Sequence, residues 1–168
     1  MIEFRRHSGM FTLETEQFVP ITIDKAWEFF SSPENLCLMT PPHMKFRITS
    51  GKPERMYVGQ IISYTLSLFP GTKTNWVTEI TVADIGNYFV DEQRFGPYKM
   101  WHHEHRFKTI KDGVLMTDKV SYKLPFGFLG HFAHALFVKG QLQAIFSYRQ
   151  KTLEKLFPPA VRNKSDQH

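Results

Sequence analysis

The chain has 168 residues, 42% of them hydrophobic, and a formal net charge of +5. This suits one globular domain with a sizeable core. Its single cysteine, Cys37, excludes an intrachain disulfide, and the absence of any apolar run of spanning length excludes stable membrane insertion. Lys and Arg are scattered among acids, and there is no zinc-ligand pattern or RNA-binding aromatic signature, so nucleic acid is not an expected partner. The N-terminus has no continuous apolar stretch of the secretory kind, which makes the cytoplasm the expected location. Aromatic residues reach 15%, including 16 Phe, and this predicts a large core or an aromatic-lined cavity.

In chain order, residues 1–9 read as a loose lead-in and residues 11–19 as an alternating strand. Asp24 is placed to cap a short helix over 25–30. Ser32 and Pro33 open a second helical turn that stops before Pro41-Pro42. Cys37, between Leu36 and Leu38, reads as a buried small hydrophobe. Pro41-Pro42-His43-Met44 reads as a rigid turn before a strand.

From there the period is two. Strands are predicted over 44–49, 60–69, 72–82, 87–94, 99–110 and 114–124, punctuated by Pro70-Gly71, Ile85-Gly86-Asn87, Gly96-Pro97 and Lys111-Asp112-Gly113. From about 128 to 157 the period is helical, with Phe132, Leu136, Lys139, Gln143 and Phe146 on one stripe. Ala135, Val138, Leu142, Ile145 and Arg149 form its neighbour. Pro158-Pro159 ends the helix. A helix this long must dock its apolar face, and the available surface is the concave side of a bent sheet. Residues 1–160 are therefore expected to form one domain, and the polar residues 161–168 a disordered tail.

The most informative stretch is residues 98–107, YKMWHHEHRF. As a strand it sends Trp101, His103, His105 and Phe107 to one face and Met100, His102, Glu104 and Arg106 to the other. A face both apolar and titratable suits a pocket wall.

These elements resemble the START-related lipid-transfer and polyketide-cyclase superfamily, SRPBCC, whose helix-grip fold is shared with plant pathogenesis-related allergens. The residues that carry the resemblance are FxDEQxxGPYxxWxHxHxF from Phe89 to Phe107, DxVxYxLPxG from Asp118 to Gly127, and FSYR from Phe146 to Arg149. They point to a bacterial ligand-binding branch. The resemblance implies an α+β helix-grip fold, with about seven antiparallel strands curved around a long C-terminal helix and two short helices after the first strand. It carries over no universal catalytic residue.

With Trp101, His103, His105 and Phe107 facing inward, the following strand is predicted to offer Met116, Asp118, Val120 and Tyr122. The preceding one is predicted to offer Phe89, Asp91 and Gln93. Trp76 and the helix residues Phe132, Leu136 and Phe146 complete the expected apolar lining. A buried carboxylate needs partners, and two imidazoles are natural ones. The cluster reads either as a satisfied structural network, as a polar end that orients a ligand, or as a general base. In the last case His103 or His105 would be the base and Asp118 its orienter. Arg149 pairs with Asp91 or Asp118, or lies on the surface.

His102, His103 and His105 beside Glu104, with Asp118 as a third ligand, invite a metal reading. However, no HExxH or cysteine spacing accompanies them, and the resemblance implies no metal, so neither metal nor cofactor is expected. The expected function is binding or carriage of a small hydrophobic molecule (lipid, polyketide or isoprenoid). The alternative is a cyclase or dehydratase-type enzyme using the same cavity. Monomer and homodimer are both compatible with the chain.

Overall fold

The computed structural model describes residues 1–51, 55–125 and 137–159. Its elements are β1 (Ile2–His7), β2 (Met10–Val19), α1 (Ile23–Phe30), α2 (Pro33–Leu38), a 3-10 turn (Pro42–Met44), β3 (Arg47–Ile48), β4 (Ile61–Leu66), β5 (Thr74–Asp84), β6 (Tyr88–Phe95), β7 (Met100–Ile110), β8 (Gly113–Lys123) and α3 (Lys139–Leu156). The strands form one antiparallel sheet in the order β1-β2-β8-β7-β6-β5-β4-β3, so the last strand returns to pair with the second. The architecture is α+β, as the pattern predicts, with eight strands among the described residues rather than about seven.

The additional strand is β1, where the sequence suggests a loose lead-in. Ser8 and Gly9 both have positive φ (49° and 75°), the backbone of a two-residue hairpin whose twist matches its strands. His7 therefore pairs with Met10 and Ile2 with Thr15. Three smaller expectations also change. Thr22, not Asp24, caps α1, its hydroxyl accepting from the Lys25 N–H at 3.4 Å, while Asp24 sits in the first turn. The strand predicted over 44–49 shrinks to two residues because Pro42–Met44 is helical and Lys45 is left-handed. Cys37 is exposed, since the six-residue α2 buries Pro33 and turns Cys37 and Leu38 outward.

Curvature has a local origin. The β5–β6 register slips between Val77 and Thr78 and again between Ile80 and Val82. Extra residues of this kind bend and twist a strand. Along β5 the inward residues Trp76, Thr78 and Ile80 are buried, and the alternation ends at the second slip. Helix α3 lies on the concave face through Leu142, Phe146, Arg149 and Leu153, a single stripe drawn from both predicted ones. It is fastened to β2 by Gln150, whose side chain donates to the Thr15 hydroxyl at 2.7 Å, and by Gln17, which donates to the Gln150 carbonyl at 2.9 Å. The expected helical residues from 128 to 136, and the expected tail, lie outside the described residues.

The core has two parts. One gathers Phe11, Leu13, Trp76, Tyr98, Tyr122, Leu142 and Phe146. The other gathers Ala26, Phe30, Phe89, Phe107, Met116 and Leu153. Between them sits a buried polar cluster.

Candidate functional site

Strand alternation aims the cluster. On β7, His103 and His105 are buried while His102 points to the opposite face, where its Nδ1 lies 2.7 Å from Glu92 Oε1. Antiparallel pairing then supplies one carboxylate from each side. Asp91 of β6 stands opposite His103, and Asp118 of β8 stands opposite His105.

The side chains also reach diagonally. Asp118 Oδ1 lies 2.9 Å from His103 Nε2 and 2.9 Å from His105 Nδ1. Asp91 Oδ2 lies 2.8 Å from His105 Nε2 and 3.5 Å from His103 Nδ1. The two imidazoles face one another with centroids 3.7 Å apart, and Phe89 stacks on His105 at 4.1 Å.

From α3, Arg149 reaches down so that Nη1 donates to Asp118 Oδ1 at 3.4 Å. Its guanidinium passes 4.9 Å from the centre of the Phe146 ring, a cation–π contact. Of the alternatives for Arg149, the structure selects burial against Asp118.

The electrostatics follow from this packing. Burial opposes charge on Asp118, but Arg149 and the two imidazoles outweigh it and hold its carboxyl well below the ordinary carboxylate value. Burial likewise opposes charge on Asp91, and the hydrogen bond from His105 with the nearby His103 brings its carboxyl down. Burial and the neighbouring His105 push His103 down, against the pull of Asp118 and Asp91. His105 is raised, because its two carboxylate partners more than offset burial. The two carboxylates are thus met by one guanidinium and by the imidazole nitrogens, and this pairing is what permits their burial.

Above the cluster, between β4–β7, α2 and α3, lies a cavity of about 160 Å³. Its apolar wall includes Phe30, Met44, Ile62, Leu66, Trp76, Ile80, Phe89, Trp101, Leu142 and Phe146, and Asp91, His103, His105 and Arg149 form its polar end. Two further N–H groups are buried without a hydrogen-bond partner among the described residues: Nε1 of Trp76 and Nε of Arg149. Both residues line the cavity. Tyr64 and Tyr98 line it too. Burial raises both phenols above the ordinary tyrosine value, and the Tyr64 hydroxyl lies 3.1 Å from that of Thr78.

Of the residues singled out from sequence, Trp76, Phe89, Asp91, Trp101, His103, His105 and Phe146 border the cavity. Asp118 lies beneath the histidines and meets them from the far side. Phe107 and Met116 pack in the cluster around Phe30, and Tyr122 stacks between Phe11 and Trp101 in the other. Gln93 is drawn elsewhere. Its amide donates to the Tyr98 carbonyl at 2.7 Å and accepts from the Tyr98 N–H at 3.2 Å, bracing the turn between β6 and β7. Phe132 and Leu136 lie outside the described residues. Among the cavity residues that sequence reasoning left out are Tyr64, Thr78 and Ile80. The strand alternation over 60–69 and 72–82 is the signal that places them.

No family model and no curated protein sequence matches the chain. Solved structures do. Protein Ms6760 from Mycobacterium smegmatis aligns with a TM-score of 0.65 at 13% identity, over 93% of this chain and 99% of that one. Ginseng major latex-like protein 151 from Panax ginseng aligns with a TM-score of 0.66 at 14% identity, over 90% and 100%. A nucleoside-diphosphate sugar epimerase from Corynebacterium glutamicum aligns with a TM-score of 0.59 at 25% identity, over 84% of this chain but 28% of that one. Among the described residues no helix is long and apolar enough to cross a membrane.

Proposed function

We propose that this protein, which has the helix-grip fold of the SRPBCC superfamily, binds a small, mostly apolar molecule carrying a hydrogen-bond acceptor. The binding place is the cavity between the sheet and α3. One observation carries the reading: an apolar chamber into whose wall two buried, unpartnered N–H donors, of Trp76 and Arg149, are built. A buried donor without a partner costs about 1–3 kcal/mol. A ligand carbonyl, hydroxyl or carboxylate that met these groups would remove that cost. The resemblance to lipid-transfer and cyclase proteins points the same way.

Size narrows the class. An engineered cavity of about 150 Å³ takes up benzene. The volume of about 160 Å³ here therefore suits one ring or a short isoprenoid unit better than a full acyl chain. Burying one ring, roughly 150–250 Å² of apolar surface, supplies roughly 4–6 kcal/mol. The losses of association reduce this, so titrations should extend to millimolar ligand.

The test is a fluorescence and calorimetric titration with 4-alkylphenols, using Trp76 and Trp101 as reporters. A saturable change at one equivalent is expected, and Leu142→Trp, which fills the cavity, should abolish it. No saturable response to any ring compound, or a response that survives the filled variant, refutes the reading.

A further inference from the structure

We infer that Asp91, His103 and His105 form a site for one divalent first-row transition ion, such as Zn(II) or Fe(II), at the polar end of the cavity. The proposal rests on how the donor atoms are shared out. Each imidazole has two nitrogens, and the structure uses them differently. The nitrogens turned to Asp118 are His103 Nε2 and His105 Nδ1, both at 2.9 Å. The other two, His103 Nδ1 and His105 Nε2, both turn to Asp91 Oδ2, at 3.5 and 2.8 Å.

One ligand atom from each of Asp91, His103 and His105 lies within 4.8 Å of the others. Donors that bind one ion at about 2.0–2.2 Å stand about 3.0–3.4 Å apart. The two spacings at Asp91 Oδ2, 2.8 and 3.5 Å, bracket that range, so side-chain adjustments that bring the two imidazole nitrogens to a like separation put the three donors on a common centre. Two imidazoles and one carboxylate are the donor set of facial-triad sites, which leave coordination positions open. All three residues border the cavity, so those positions face the space where a ligand would sit.

Asp118 supplies what a bare cluster lacks. A metal-bound histidine commonly gives its second ring N–H to a carboxylate, which fixes the ring and strengthens the ligand. Here one carboxylate oxygen does so for both rings, and Arg149 holds that carboxylate from α3. The charges also suit a cation: with neutral imidazoles, two carboxylates and one guanidinium leave one net negative charge. The sequence reading of a metal site chose different ligands, with His102 in the set and Asp118 as the third ligand. Strand geometry removes His102 to the outer face with Glu92 and Glu104. It also moves Asp118 behind the rings.

The test uses the full-length chain without a polyhistidine tag, stripped with chelator and titrated with Co(II) or Zn(II) alone. Co(II) visible absorption and calorimetry should show one equivalent bound at micromolar concentration or below. Asp91→Asn and His105→Gln should each weaken binding a hundredfold or more, Asp118→Asn ten- to a hundredfold, and His102→Ala not at all. Variants in a buried cluster can fail to fold, so X-ray absorption on the Zn-loaded wild-type protein supplies a second readout. Two imidazole ligands are expected there. No binding at millimolar ion, fewer than two imidazoles, or binding lost in His102→Ala but kept in Asp91→Asn overturns the site. These readouts need no apolar ligand, so they stand or fall apart from the cavity reading.

Discussion

Arg149 on α3 and Asp118 on β8 meet at 3.4 Å in a place both bury almost completely, and this contact joins the helix to the sheet beneath the cavity. Removing one member of a buried pair leaves an uncompensated charge, at a cost of about 3–5 kcal/mol. Arg149→Met should therefore lower stability by about that amount in denaturant unfolding, measured without added metal. Arg149→Met combined with Asp118→Asn should lose less than the sum of the two single changes, because the orphaned charge is gone. Strict additivity would mean that the two side chains do not interact.

The Gln93–Tyr98 brace predicts an effect at a neighbouring glycine. A Cβ at Gly96 would run into Oε1 and Cδ of Gln93. Gly96→Ala should break both hydrogen bonds to Tyr98 and destabilise by about 1–2 kcal/mol, given about 1 kcal/mol for each. Tyr98 packs against Trp76 and Trp101 in the cavity wall, so near-ultraviolet circular dichroism should change as well. Gln93→Leu should reproduce the loss and leave alkylphenol binding within about threefold. A large drop in affinity would return Gln93 to the ligand.

Trp76 separates binding from folding. Its Nε1–H has no partner among the described residues, so Trp76→Phe deletes no hydrogen bond of the ligand-free protein. Phe is smaller than Trp, so the space left in the core should lower stability by about 1–2 kcal/mol, as for other partial large-to-small core changes. Affinity for an alkylphenol should fall about fivefold, matching one hydrogen bond of about 1 kcal/mol. Affinity for the matching alkylbenzene, which has no acceptor, should stay within twofold. Calorimetry on both ligands checks the difference.

Gly9, at φ 75°, holds the β1–β2 turn. A side chain in left-handed backbone costs about 1–2 kcal/mol, least for Asn. Gly9→Val should speed hydrogen exchange at the amides of Ile2–His7 while β7 and β8 stay protected, and Gly9→Asn should do so far less. Equal effects of the two variants would show that the turn does not depend on its backbone geometry.

Most of the fold was legible in order. Hydrophobic period alone separates the strand region from the C-terminal helix, and the two-residue alternation of 98–107 puts His103 and His105 on one face and His102 on the other; the sheet then buries the first face. The resemblance in the Phe89–Phe107 and Asp118–Gly127 motifs led to the same helix-grip architecture. Local chemistry was less decisive at element ends. Ser8-Gly9 is a weaker hairpin signal than Asp112-Gly113, so β1 was missed, and Thr22 competes with Asp24 as a cap because either can accept from an early helical N–H.

What the sequence by itself determined was which residues share a face. Alternation is a property of the extended chain and needs no partner. What only the tertiary structure decided was which atoms meet. Cross-strand register set Asp91 against the near nitrogens of both histidines and Asp118 against the far ones. A local turn took Gln93 away from the cavity, and the docking of α3 put Arg149 onto Asp118 instead of in solvent. Those outcomes depend on register, bulges and helix placement, each fixed by long-range packing that no short window of sequence contains.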